Sequence, residues 1–164
     1  SSGNLATTQA VISKLEERSK APGERRNSLL DAPTMFQVAS LVGDVLRETI
    51  RESAKSDSPD ASGTFTASFI LAGQIAGMEP RLFLVYPEGN FIESTADTPF
   101  FQVGETKYGR PILIRAYDPA MSFEDAIKLL MVSFDSTLKA NLSVGMPLDL
   151  LVLERGKFEP LHHR

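Results

Sequence analysis

The sequence predicts an α+β protein, a four-layer sandwich in which helices flank two stacked antiparallel sheets, and three observations predict it. Apolar residues recur at helical spacing over the first fifty positions, give way to β-branched and aromatic runs between positions 64 and 103, and then return to helical spacing. The strand-like runs are joined by short Gly/Pro turns such as Pro87-Glu88-Gly89-Asn90, which only antiparallel neighbours can use. The chain opens on small residues and Gly3 that lead straight into a helical pattern, as where a strand hands over to a helix. We expect residues upstream of Ser1, and expect them to complete the second sheet.

Each element has its own signal. Leu5, Thr8, Val11, Ile12 and Leu15 mark a first helix, which Ala21-Pro22-Gly23 breaks. After Pro33, the residues Phe36, Ala39, Val42, Val45, Leu46, Thr49 and Ile50 trace one face of a longer helix that fades into the Ser/Asp/Pro/Gly stretch from Ser53 to Gly63. Strands are expected at Thr64 to Ile75, Arg81 to Tyr86, Asn90 to Thr95 and Phe100 to Val103. Helix is expected again at Tyr108 to Ala116, with Pro111 tolerated in the first turn. From Phe123 a further helix follows the box Ser122 to Asp125, with Phe123, Ile127, Leu130, Phe134 and Leu138 as its buried stripe. A strand from Leu148 to Glu154 and a return at Phe158 close the order.

Composition excludes several classes of function. The 164 residues fit one domain, able to bury roughly 70% of the surface of the unfolded chain without a staple. There is no cysteine, so neither a disulfide framework nor a thiol nucleophile is available within the chain. The net charge of -4 is spread out, and the short mixed cluster Glu24-Arg25-Arg26 offers nucleic acid no basic stripe. No apolar run approaches the roughly 18 residues of a membrane span, so a cytoplasmic protein without a membrane partner is expected. Phosphate-binding glycine loops, HExxH and G-x-S-x-G are all absent. The two histidines, His162 and His163, read as a frayed tail, since a metal site needs three or four converging ligands. No metal or cofactor is expected.

Ser2-Gly3-Asn4-Leu5-Ala6-Thr7-Thr8-Gln9-Ala10 resembles the strand-to-helix junction of proteasome β-type subunits. Gly104-Glu105-Thr106-Lys107-Tyr108-Gly109-Arg110-Pro111-Ile112 and Ser143-Val144-Gly145-Met146-Pro147-Leu148-Asp149-Leu150 resemble the bacterial proteasome-related family Anbu, the ancestral β subunit. The resemblance runs nearly end to end. It implies an N-terminal-nucleophile hydrolase fold, here without its first strands, and a threonine peptidase acting on peptide or protein substrates. In such enzymes the first residue, a threonine, attacks the amide carbonyl while its own amine and a nearby lysine handle the proton. Both would lie upstream of Gly3, so the bare chain is expected to be inactive and, with an open sheet edge, poorly soluble.

The resemblance also assigns site residues. Gly3 matches a glycine whose backbone N–H stabilises an oxyanion, although a packing glycine at a strand end is an equal reading. Ser1 and Leu5 match positions flanking the first specificity pocket. For that reason Ser1, although a hydroxyl residue at a chain start, is not read as the nucleophile. Glu105 stands where β subunits carry a serine bonded to the nucleophile's amine, and a carboxylate there would raise that amine's pKa; otherwise it is a solvated loop charge. Asn141 and Ser143 stand where an aspartate and a serine support the nucleophile, and the asparagine can contribute hydrogen bonds but no charge. Without the resemblance, they belong to a helix-ending segment in which Gly145 permits the turn. Self-association into rings or open rings is implied as well. The competing reading is a non-catalytic, self-assembling subunit, to which the Glu105 and Asn141 departures lend weight.

Overall fold

The computed structural model describes residues 1–20, 28–56, 65–157 and 161–163. These fall into two compact units, Ser1–Phe101 and Gln102–Arg164. In the first unit, β1 (Ser2–Gly3) passes into α1 (Leu5–Lys20) through Asn4. Asn4 starts the helix because its side-chain Oδ1 accepts from the Thr7 N–H at 3.0 Å, satisfying a donor that has no partner within the first turn. Thr7 in turn donates its hydroxyl to the Phe65 carbonyl at 3.1 Å, tying α1 to the strand beside it. A 3-10 turn at Leu29–Asp31, capped by Ser28, leads to α2 (Met35–Ser56). There Thr34 Oγ1 accepts from Gln37 N at 3.2 Å, and of the predicted face Ala39, Val42, Val45, Leu46 and Thr49 are buried, whereas Phe36 at its start is exposed.

Strands β2 (Ala67–Gly73), β3 (Arg81–Val85) and β4 (Phe91–Glu93) form an antiparallel sheet with β1, in the order β1-β2-β3-β4. Period-two alternation gives this sheet two different faces. One carries Ala67, Phe83 and Val85, all buried, and packs with α1 and α2 around Val11, Leu15, Val45 and Leu46. The other carries Ile70, Leu84 and Ile92, which stand opposite one another across the three strands. Ile70 is 36% exposed and Ile92 44%. The unit is thus a helical layer on one face of a sheet whose second face is apolar and partly exposed.

Two glycines let α2 approach the β3–β4 turn. A β-carbon at Gly43 would lie 2.1 Å from the Gly89 carbonyl oxygen, and one at Gly89, whose φ is +85°, would lie 2.6 Å from the Gly43 carbonyl oxygen. Helix and turn therefore touch backbone to backbone, which no other residue pair permits. At the far end of these strands from the turn, Arg81 and Glu93 form a two-pronged ion pair across β3 and β4, and the Arg81 guanidinium lies 5.2 Å from the Phe83 ring centroid. Between the helices, Lys14 pairs with Glu52 at 2.5 Å and Arg18 with Glu48 at 3.0 Å. Such exposed pairs contribute at most about 1 kcal/mol each, so the apolar face decides the packing.

The second unit contains α3 (Arg110–Ala116), α4 (Phe123–Ala140) and the antiparallel pair β5 (Leu150–Val152) and β6 (Leu161–His163). Ser122 caps α4 as the sequence suggests: its Oγ accepts from Asp125 N at 3.1 Å and lies 2.8 Å from the Asp125 carboxylate.

Four expectations are corrected. Residues 100–103 form no strand: after β4 the chain turns through the Thr95 and Thr98 bonds, and strand-forming residues make a strand only where an edge is there to pair with. The α4 stripe is not the buried face, since Phe123 is 59% exposed and Phe134 41%. The buried residues of α4 are Ser133 and Thr137, because a β-carbon at Gly109 would lie only 2.4 Å from Ser133 Oγ, and so close an approach admits small side chains only. His162 and His163 are not a frayed tail, since their backbone pairs with Leu151 and Leu150. Gly145 does not end α4; its φ is ordinary, a β-carbon there would meet nothing, and the helix ends at Asn141, whose N–H reaches the Thr137 carbonyl at 2.9 Å. Phe158, the expected return, and Thr64, the expected start of β2, lie outside the described residues.

Candidate functional site

Three of the residues singled out in the sequence come together in the second unit. Gly104, with φ +86°, turns the chain sharply before Glu105, a conformation that a side chain would strain. Glu105 Oε1 then accepts from the Lys107 backbone N–H at 2.7 Å. Its other oxygen accepts from Asn141 Nδ2 at 2.7 Å, across 36 positions of sequence. Asn141 Oδ1 accepts both the Ser143 N–H at 2.9 Å and the Ser143 hydroxyl at 2.6 Å. A continuous chain of hydrogen bonds therefore runs from Ser143 through Asn141 to Glu105, with Asn141 held at the end of α4 by its own backbone.

The Lys107 backbone N–H, and after it the Asn141 amide, hold the Glu105 carboxyl below the usual carboxylate range. The sign follows from that direction. A carboxyl whose pKa is depressed on folding stabilises the fold above its unfolded pKa, and that contribution is lost as pH falls through the folded value. We therefore expect the Lys107 amide resonance to titrate with a midpoint below the ordinary glutamate value, and to stop titrating there in Glu105→Gln. A midpoint at or above the ordinary value would contradict the bonding just described.

Gln102 belongs to the same cluster and was missed in the sequence. Its Nε2 donates to the Glu105 carbonyl oxygen at 3.1 Å, while its Oε1 is buried without a hydrogen-bond partner among the described residues. An amide three positions before a loop glutamate carries no motif, so no signal could have marked it.

The other three candidates lie at the start of the first unit. Gly3 adopts φ +112°, and a β-carbon there would lie 2.3 Å from the Thr66 carbonyl oxygen. Close packing against β2 alone therefore demands glycine at this position. Ser1 is exposed, and Leu5, the first residue of α1, is 69% exposed, so a large apolar side chain stands free at the strand-to-helix junction. Among the described residues no helix is long and apolar enough to cross a membrane.

The sequence profile described as proteasome subunit covers residues 2–153, and the chain belongs to that family. Among solved structures it is similar to Anbu (ancestral β-subunit) from Yersinia bercovieri, at 42% identity over 90% of this chain and 59% of that one, with a TM-score of 0.80. It is similar at 48% identity to an Anbu (Gly-1) mutant from Hyphomicrobium sp. strain MC1, over 98% of this chain and 64% of that one, with a TM-score of 0.85. The structure titled helical assembly of the Anbu complex from Pseudomonas aeruginosa is 44% identical over 99% of this chain and 66% of that one, with a TM-score of 0.89. The chain thus spans about three fifths to two thirds of the length of these relatives. No curated protein matches it.

Proposed function

We propose that this chain is the larger part of a proteasome-type threonine peptidase subunit, an N-terminal-nucleophile hydrolase of peptide bonds. The observation that carries the reading is the convergence of Glu105, Asn141 and Ser143, three positions the family resemblance marks as supports of the nucleophile, in one hydrogen-bonded cluster. The nucleophile is a threonine on a segment outside these 164 residues, and the greater length of the relatives leaves room for it. Its hydroxyl attacks the amide carbonyl, its amine handles the proton, and the Gly3 N–H stabilises the oxyanion of the tetrahedral intermediate. Ser1 and Leu5 flank the pocket that takes the substrate side chain; the exposure of Leu5 fits that role. Residues 1–164 then belong to one proteasome-like domain, in which a further antiparallel sheet closes over Ile70, Leu84 and Ile92 to complete the four-layer sandwich. The apolar character of that open face supports the last step, because soluble proteins seldom leave such a face in water.

Self-association of a cytoplasmic subunit is part of the same reading, and the helical assembly named for the Pseudomonas aeruginosa relative supports it. It also supports a second reading, a self-assembling subunit without catalysis. One experiment separates the two. The full-length gene product is purified and sequenced from its N-terminus, and its hydrolysis of fluorogenic peptides is compared with that of a variant whose first residue is alanine. Peptidase function predicts a first threonine and loss of hydrolysis on its replacement. An assembled protein that cleaves nothing, or that cleaves equally well after the replacement, would establish the structural reading instead.

A further inference from the structure

Gln102, which the proposed mechanism does not use, carries a further step. Gly104 turns the chain with φ +86°, and glycine holds such a turn less firmly than any other residue. Gln102 stands two positions before Gly104 and Glu105 directly after it, so the 3.1 Å bond from Gln102 Nε2 to the Glu105 carbonyl oxygen closes the loop across the glycine. A carbonyl only accepts, which fixes the end of the Gln102 amide that faces Glu105. Gln102 Oε1 is thereby left buried with no hydrogen-bond partner among the described residues. An unpaired buried amide oxygen costs stability that an apolar side chain of similar length, such as methionine, would not lose. What only a donor supplies at position 102 is the hold on Glu105.

The two carboxylate bonds of Glu105 depend on that hold to different degrees. The 2.7 Å bond from the Lys107 N–H is local to the loop, two positions along the chain. The 2.7 Å bond from Asn141 Nδ2 reaches across 36 positions to the end of α4, so it forms only where the loop is correctly placed. We infer that Gln102 is a positioning residue that locks the turn at Gly104 and so aims the Glu105 carboxylate at Asn141. This deepens the function proposed above and rests on it only for the catalytic consequence, which is that loosening the turn lowers kcat and leaves KM unchanged.

Gln102→Glu tests this, because it makes the hold depend on pH. While protonated, the introduced carboxyl donates its O–H to the Glu105 carbonyl; once ionised, it has no proton to give and repels that oxygen. Burial of its outer oxygen and the neighbouring Glu105 carboxylate both raise its pKa. Glu105 itself stays ionised, since the Lys107 N–H and the Asn141 amide hold its carboxyl below the usual range. At about pH 5 the variant therefore keeps the hold, and at about pH 8 it loses it. The readout is hydrogen exchange of the Lys107 amide in the full-length gene product, followed by mass spectrometry and corrected for the intrinsic effect of pH, with the amides of α4 as the control. In Gln102→Met we expect exchange about fivefold faster at both pH values. In Gln102→Glu we expect exchange within about twofold of the unsubstituted protein at the lower pH and at least about tenfold faster at the higher. Unchanged exchange in Gln102→Met, or equal corrected exchange of Gln102→Glu at the two pH values, would overturn the inference. If Gln102→Met loosens α4 as well, the pH comparison decides, because it sets one protein against itself. The expected exchange in a full-length protein that cleaves nothing would sink the peptidase reading and leave this inference standing, whereas a kcat unmoved by Gln102→Met in an active enzyme would overturn its catalytic consequence.

Discussion

Phe83→Ala is expected to destabilise the first unit by about 4 kcal/mol, the middle of the range for a fully buried phenylalanine. Phe83 has no exposed surface and sits between the sheet and α2, against Met35, Val38 and Ala39. Three separate losses converge there. The void left by the ring cannot be filled by sliding α2 inward, because α2 already touches the β3–β4 turn backbone to backbone at Gly43 and Gly89. The ring also meets Phe91 edge to face, with centroids 5.7 Å apart and planes at 86°, and Phe91 in turn meets Phe36. The Arg81 guanidinium loses the ring face near which it lies. Urea unfolding followed by far-UV circular dichroism measures the loss, and Phe83→Leu, which keeps most of the volume, should cost less than about 1.5 kcal/mol. A loss below about 1.5 kcal/mol for Phe83→Ala would mean that the two clusters around α2 can close on each other, contrary to the glycine contact.

What the sequence could show about this molecule depends on how far each signal reaches along the chain. Local ones were legible. Ser122 with Asp125 marks the start of α4, the spacing of Ala39, Val42, Val45 and Leu46 marks the buried face of α2, and short turns between runs of β-branched and aromatic residues mark β2, β3 and β4. The misreadings share one cause, which is that burial and pairing depend on what stands opposite. Phe100 and Val103 have the composition of a strand and lie outside every strand of the described residues. Phe123 and Phe134 have the spacing of a buried stripe, yet it is Gly109, on another element, that selects Ser133 and Thr137 for burial. The candidate site divides in the same way. Glu105, Asn141 and Ser143 were marked by resemblance to a family, but composition and spacing alone could not join Glu105 to Asn141 or give their bond a direction. Gln102 carried no mark at all, because an unpaired buried acceptor exists only once the chain is folded.

Gly3→Ala is expected to cost about 4 kcal/mol as well, for reasons independent of any role in catalysis. The first is conformational: φ +112° lies outside the regions an L side chain occupies at low energy, a strain of about 1 to 3 kcal/mol. The second is steric, since the added carbon would lie 2.3 Å from the Thr66 carbonyl oxygen and 2.9 Å from Ala67 Cα, both backbone atoms that cannot rotate away. Overpacking of this kind costs about another 1 to 3 kcal/mol. Nor can Thr66 retreat cheaply, because its carbonyl accepts the Asn4 N–H at 2.8 Å and Asn4 caps α1 through its 3.0 Å bond to Thr7 N. Relief of the clash therefore has to pull β1 from β2 and loosen the start of α1 together. The measurement is the urea midpoint joined to hydrogen exchange of the Asn4 amide, which should speed up by more than the same amide does in Phe83→Ala at matched stability. Unchanged Asn4 exchange with a stability loss below about 1 kcal/mol would show that β1 yields without strain. Packing would then no longer account for the glycine, and the oxyanion role would be left as the reason for it.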